Sequence, residues 1–312
     1  MKKFITYSVL FVLPLIVALT CLEYLLRQVP NPYKYKYEWM QKNAEDVEIL
    51  ILGSSHTFYG IRPEFLEGNA FNLANTSQGM NQDLFLLEYW ADKYKKLKTV
   101  IYPISIFTWF TRRDLKDNIE AYRCRYYKIY MDYNQYPNLP FYNLELAHYR
   151  TAKEKATKLF SSKKDLGHDE YGWGSTYKLS NKEMDKWNDK TGAAAAKMHT
   201  SKSWDHIDKN YARMKKIFDF CKSRNIQLIF VTTPCWHSYY DKLDQKQLAK
   251  MHELTNQFKK EFDVPYFDYL KDSRFNADDF FDSNHLSDIG ATKFTKILNK
   301  DIKSIISSKI MD

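Results

Sequence analysis

The chain has 312 residues, with Lys+Arg 47 against Asp+Glu 38 for a net charge of +9, and 44% of its residues are hydrophobic and 16% aromatic. That length holds one large domain or two small ones with ample apolar material for a core, so disordered, collagen-like and disulfide-scaffold classes are excluded. The positive balance suits nucleic acid, anionic lipid or an acidic polymer alike and does not choose among them.

Phe4 to Leu22 is an apolar run without a charge, preceded by Lys2 and Lys3. As a helix rising 1.5 Å per residue it spans roughly 28 Å, close to the hydrocarbon thickness of a bilayer. The run exceeds a usual signal-peptide core, and no small-x-small cleavage site stands ahead of Glu23. Residues 1–26 are therefore expected as an uncleaved membrane anchor, with a lipid-modified Cys21 as the alternative. Lys2 and Lys3 are nearly matched by Arg27, Lys34 and Lys36 on the other flank, and the short head before the run favours a body outside the cytoplasm. Residues 27–46, with Pro32 and a Tyr/Lys alternation, read as a linker or irregular juxtamembrane segment.

The body is expected over 47–312. Val47 to Leu52 is a short apolar run ending at Gly53, the pattern of a buried parallel strand that stops at a tight turn. Asn69 to Leu73 is a second strand candidate, Gln82 to Lys96 carries helical spacing, and Thr99 to Ile104 is a third strand. The rhythm returns with a helix through Ile207, Met214 and Cys221, a strand over Ile226 to Val231, a helix through Leu248 and Phe258, a strand over Val264 to Phe267 and a closing helix from Ile289 to Ile305. Such alternation predicts a doubly wound α/β domain with a largely parallel sheet and its function at the carboxyl ends of the strands. Between about 111 and 206 the alternation lapses, which reads as an inserted helical subdomain or lid; its Ala193 to Ala196 run reads as exposed helix. Cys124, Cys221 and Cys235 allow at most one disulfide within the body.

Two segments carry chemistry: Gly53-Ser54-Ser55-His56-Thr57 after the first strand and Asp282-Ser283-Asn284-His285-Leu286 near the end. A hydroxyl needs a base within hydrogen-bond reach, and the base needs a carboxylate to hold its tautomer. Asp and His three residues apart on one turn can face the same spot. The order Ser, Asp, His suits a nucleophilic hydrolase, although Thr57 and the short Asp–His spacing disagree with a G-x-S-x-G elbow.

These blocks resemble those of the SGNH or GDSL hydrolase superfamily, in which Gly-Asp-Ser follows the first strand and Asp-x-x-His precedes the last helix. The resemblance covers Val47 to Ile305 apart from the insertion and implies a flavodoxin-like three-layer sandwich. It makes Ser55 the nucleophile, His285 the base and Asp282 its orienting acid. The Ser54-Ser55 variant is similar to a membrane-anchored branch that modifies envelope polymers, including proteins like the D-alanyl transfer protein of teichoic acid and the alginate O-acetylation factors. A serine esterase or O-acyltransferase acting on acyl groups of an envelope polysaccharide is thereby implied, with a membrane-bound acyltransferase as partner. In the octet Asn72 to Gly79, Gly79 or Asn75 is placed to join the Ser55 N–H in an oxyanion hole. The family's Gly-x-Asn-Asp after the third strand is missing, since Tyr102-Pro103-Ile104-Ser105-Ile106 holds no Asn. Either Asn75, Gln78 or Ser105 substitutes, or the protein is a non-catalytic glycan-binding or assembly component that kept the fold.

Trp236 and His237, after the fourth strand candidate, fall where substrate would lie, with loop packing as the alternative. His56 reads as packing at a helix start. No metal or organic cofactor is required by this chemistry, and neither a cysteine pair of metal-binding type nor a Gly-rich phosphate loop occurs. Nucleic acid is not an expected partner, because lysines are spread along the chain without a recognisable motif.

Overall fold

A computed structural model describes residues 1–112, 121–133, 143–159, 166–183 and 187–311, so parts of the expected 111–206 insertion lie outside the described residues. Five strands, β1 (Ile49–Ile51), β2 (Ala70–Asn72), β3 (Thr99–Pro103), β4 (Gln227–Thr232) and β5 (Tyr266–Asp268), form one sheet in the order β2-β1-β3-β4-β5. Every pairing is parallel, with Leu50 opposite Phe71 and Val100, and Val100 opposite Leu228. This is the flavodoxin-like doubly wound order, whose switch point lies between β1 and β3.

Side chains alternate across each strand, and both faces are covered. Leu50, Val100, Leu228 and Phe230 share one core with Leu87 of α4 (Met80–Tyr89), Met214 of α8 (Ile207–Lys222) and Phe258 of α10 (Gln245–Phe262). Ile51, Ile101, Ile229 and Val231 share the other with Phe294, Leu298 and Ile302 of α11 (Asp288–Met311). Burial on two faces explains why these strands read as unbroken apolar runs. Each such side chain contributes roughly 1.5–3 kcal/mol of burial.

Helix α1 (Lys2–Gln28) is long and apolar enough to cross a bilayer, and its side chains from Phe4 to Leu19 are largely bare of protein. Its last turns dock on the body: Leu26 is buried, and the Glu23 carboxylate accepts from the backbone N–H groups of Glu145 and Leu146 at 3.0 Å and from Arg27 Nε at 2.7 Å. The segment expected as irregular is instead helix α2 (Pro32–Asn43). Asn31 Oδ1 accepts from the N–H of Tyr33 and Lys34, and Pro32 occupies the first helical position, a start signal that outweighs the Tyr/Lys alternation. Tyr33, Lys36 and Met40 turn inward, and Trp39 stacks on Phe71 at 3.8 Å, so residues 27–46 pack on the α/β body.

The insertion contributes α5 (Arg125–Met131) beside α2, α6 (Tyr149–Leu159) beside α1, and α7 (Asp189–His199) against the short α9 (His237–Tyr240). The alanine run lies in α7 with Ala196 buried, so that helix is half-buried rather than exposed. None of the four cysteines is in a disulfide.

Candidate active site

The site starts at the carboxyl end of β1. Gly53 has φ +104°, and a Cβ there would lie 2.0 Å from Pro103 Cγ, so only glycine makes this turn. Its N–H donates to Asp83 Oδ1 at 2.9 Å. Buried Asp83 also accepts from Gln78 Nε2 at 2.6 Å and from the Tyr102 hydroxyl at 3.1 Å. Burial pushes its carboxyl up to about 6 against the opposing pull of those three donors. Ser54 is extended and caps α3 (Ser55–Gly60); its carbonyl accepts from the N–H of Thr57 at 3.2 Å and of Phe58 at 2.9 Å. Ser55 is therefore the first helical residue, half-buried, with a backbone N–H that no described group accepts, as at any helix start.

The partner loop precedes α11. Phe280 and Leu286 bridge antiparallel, and the Ser287 N–H donates to the Asp279 carbonyl at 2.9 Å, pinching the segment between them into a turn. Within it Asp282 Oδ1 accepts from the N–H of Asn284 at 3.0 Å and of His285 at 2.8 Å. The Asp282 carboxylate lies 2.9 Å from His285 Nδ1, and His285 Nε2 lies 2.9 Å from Ser55 Oγ, joining residues 230 apart in sequence. A carboxylate can only accept, so Nδ1 carries the proton and Nε2 is left to accept from the Ser55 hydroxyl. Burial raises the Asp282 carboxyl, but the His285 charge and its hydrogen bonds outweigh this and hold it below the usual carboxylate range.

Around the imidazole stands an aromatic wall. Tyr59 stacks on Tyr177 at 3.7 Å, Tyr177 stacks on Phe281 at 4.2 Å, and Tyr177 meets His285 edge-on at 5.3 Å. Behind it His56 is buried, with Nδ1 2.7 Å from Ser105 Oγ and its ring 5.2 Å from His285. That engagement matches packing at a helix start rather than a second base facing Ser55.

The oxyanion candidates separate by what they already bond. The Gly79 N–H donates to Gln82 Oε1 at 3.0 Å in a capping box at the start of α4, so it does not point at Ser55. Gln78 is drawn inward by Asp83 and by the Tyr127 hydroxyl at 2.6 Å, and Ser105 by His56. Asn75 differs. Its backbone N–H donates to the Gly53 carbonyl at 3.1 Å, tying its loop to the Ser55 turn, and the residue borders a cavity of about 800 Å³ shared with Tyr59 and Tyr177. The loop is braced by Lys36, whose Nζ donates to the Ala74 carbonyl and lies 4.4 Å from the Phe58 ring. Burial lowers the Lys36 pKa well below the usual lysine range, against a small opposing effect of Asp169.

Trp236 and His237, like Ser55 and His285, are not among the residues that line that cavity. Trp236 stacks on Trp187 at 5.0 Å and donates its N–H to the Ser283 carbonyl at 3.0 Å, bracing the Asp282–His285 turn from behind, while His237 is exposed at the start of α9. Asp83, Lys36, Tyr59 and Tyr177 belong to the site and carry no motif. Among the described residues no cluster of His, Cys, Asp and Glu has metal-binding geometry.

No family model matches the chain, and no curated protein matches it. Among solved structures it is similar to a GDSL-like lipase from Bacteroides thetaiotaomicron VPI-5482, at 11% identity and TM-score 0.40 over 89% of this chain and 100% of that one. It is also similar to a lipase/acylhydrolase from Enterococcus faecalis, at 10% identity and TM-score 0.36 over 83% of this chain and 96% of that one. Likeness at this level assigns no activity, and the chemistry rests on the side-chain geometry alone.

Proposed function

We propose that the chain is a serine acyl-ester enzyme of the SGNH type, anchored by α1 with its body outside the cytoplasm, acting on acyl groups, acetyl in particular, of an envelope polysaccharide. The observation that carries this reading is the unbroken hydrogen-bond line from Ser55 through His285 to Asp282 at the carboxyl end of the sheet. Ser55 Oγ attacks the ester carbonyl while its proton passes to His285 Nε2, and Asp282 steadies the imidazolium that forms. The carbonyl oxygen becomes an oxyanion, received by the Ser55 N–H and the Asn75 side-chain amide. Collapse breaks the ester C–O bond, and the leaving alcohol takes the proton from His285. Water or a sugar hydroxyl then gives its proton to His285 and attacks the acyl-Ser55 carbonyl; the acyl–Oγ bond breaks, His285 returns the proton to Ser55 Oγ, and acid or a new ester is released. Hydrolysis and transfer differ only in that second nucleophile. The polar and cationic lining of the cavity beside Asn75, with Arg123, Lys155 and Lys158, supports a hydroxyl-rich, anionic glycan substrate.

A fluorophosphonate probe on the full chain in detergent is expected to label wild type and not Ser55→Ala. Mass spectrometry of wild type mixed with an acetylated oligosaccharide should then find an acetyl group on Ser55. Absence of Ser55-dependent labelling between about pH 6 and pH 9, where a histidine base works, would instead favour the non-catalytic glycan-binding reading. With an acyl donor and a glycan acceptor, free acid as product identifies the esterase and acylated acceptor the transferase.

A further inference from the structure

The level at which the body meets α1 can be read from its side chains. Glu23 directly follows the apolar run, and its carboxylate is bonded to the backbone N–H groups of Glu145 and Leu146, while an Arg27 guanidinium nitrogen donates to the Asn143 carbonyl at 3.2 Å. A carboxylate and a guanidinium stay out of hydrocarbon, so in a chain whose α1 crosses a bilayer residues 143–146 stand at the headgroup layer, about 5–7 Å deep on each side. Three residues later α6 begins, and it packs against α1. Its start is open: Tyr149 is 78% exposed, the Arg150 side chain is 84% exposed and Lys153 is exposed. Tyr24, at the same end of α1, is also exposed. Exposed tyrosines at this depth with basic side chains beside them are the composition of a membrane–water interface. Glu154 pairs with Arg150 at 3.3 Å, but a pair this open holds the guanidinium weakly, and Lys153 and Lys158 leave the exposed surface of α6 cationic.

We infer that α6 is a membrane-contacting shelf, with Tyr149 in the interfacial layer and Arg150 and Lys153 on the phosphate headgroups of the bilayer that α1 crosses. The inference rests on the anchoring part of the proposed function. It also suggests a side of approach, because Arg150, Thr151, Lys155 and Lys158 of α6, with Val29 to Tyr33, wall the cavity that reaches Asn75, Tyr59 and Tyr177, the last two of which pack on His285. The mouth then opens beside the bilayer surface, and the acyl group is met on a molecule held at that surface.

The test uses the full chain in phosphatidylcholine–phosphatidylglycerol vesicles, with tryptophan added at Tyr149 and its fluorescence read as the increment over wild type. In vesicles whose lipids are brominated high on the acyl chain, Tyr149→Trp should lose most of its increment. Met198→Trp, at a residue 75% exposed on α7, which packs on α9, should keep its own. Adding Arg150→Glu and Lys153→Glu to Tyr149→Trp should restore brightness. An increment as bright at Tyr149 as at Met198, in protein that floats with the vesicles, overturns the shelf and leaves the anchor standing. Quenching unchanged by the charge reversals overturns the headgroup contacts. Failure of wild type to float overturns both the anchor and the shelf.

Discussion

Ser55 and His285 meet because two unrelated local devices aim at one point. One is a glycine turn held by Asp83, the other an aspartate that folds its own loop around Asn284 and His285. Asp282 thus fixes both backbone and tautomer, and the two roles part in Asp282→Asn, whose amide can leave Nε2 rather than Nδ1 protonated. Turnover of a chromogenic acetyl ester by that variant should fall about 10⁴-fold in kcat with KM little changed. Asp83 gives a stability prediction of the opposite sign to the usual carboxylate. Its pKa rises on folding from 3.8 to about 6, so its contribution is fully present below about pH 4 and is lost as pH climbs through about 6, a loss of about 3 kcal/mol by neutral pH. Urea midpoints across that range should decline in wild type, and the part of the decline due to Asp83 should be absent in Asp83→Asn. The meeting of Ser55, Asp282 and His285 was legible because the proposed nucleophile, acid and base sit in short blocks at the ends of periodic elements. The state of Gly79 was not, because whether its N–H is available depends on Gln82 three residues on, and Asp83 was hidden because its partners come from three separate segments.

At the scale of elements, the strands were readable from their apolar runs, and α2 was misread although Asn31-Pro32 is a helix-start signal. What no pattern revealed is that α2 sends Lys36 through the core to the Ala74 carbonyl, one peptide before the Asn75 side chain. That peptide's N–H in turn donates to Gly53, so a single hydrogen-bonded line links α2, the Asn75 loop and the turn carrying Ser55. In the proposed mechanism Lys36 is a positioning residue acting through Asn75. Lys36→Met keeps the stem and removes the donor, and leaving a buried carbonyl unmet costs roughly 1–3 kcal/mol. If Asn75 supplies the second oxyanion donor, Asn75→Ala lowers kcat by about 10²–10³-fold. Lys36→Met should lower it as well, and the double variant should be no slower than Asn75→Ala alone. Additive losses would mean that Lys36 only stabilises the fold.

For the whole molecule, the strand order β2-β1-β3-β4-β5 places Ser55, just after β1, at the β1–β3 switch point, while the insertion packs against the end of α1. The alternation of strands and helices foretold the first of these. The second escaped the sequence because Glu23 looks like the polar end of an anchor, and only the fold shows its carboxylate meeting the N–H groups of Glu145 and Leu146. Helix α1 therefore has two parts with different work: an apolar stretch largely bare of the described residues of the body, and a last turn, Glu23 to Gln28, that belongs to the body. Removing residues 1–22 should leave a water-soluble protein with the unfolding midpoint and Ser55 labelling rate of the full chain in detergent. Removing residues 1–30 also strips the acceptor of two backbone donors, the buried Leu26 and Val29, and part of the cavity wall. Loss of two such hydrogen bonds to a charged group alone is worth about 3–6 kcal/mol, so the shorter chain should unfold at a much lower urea concentration. Equal midpoints for the two truncations would show that the last turn of α1 is only a tether.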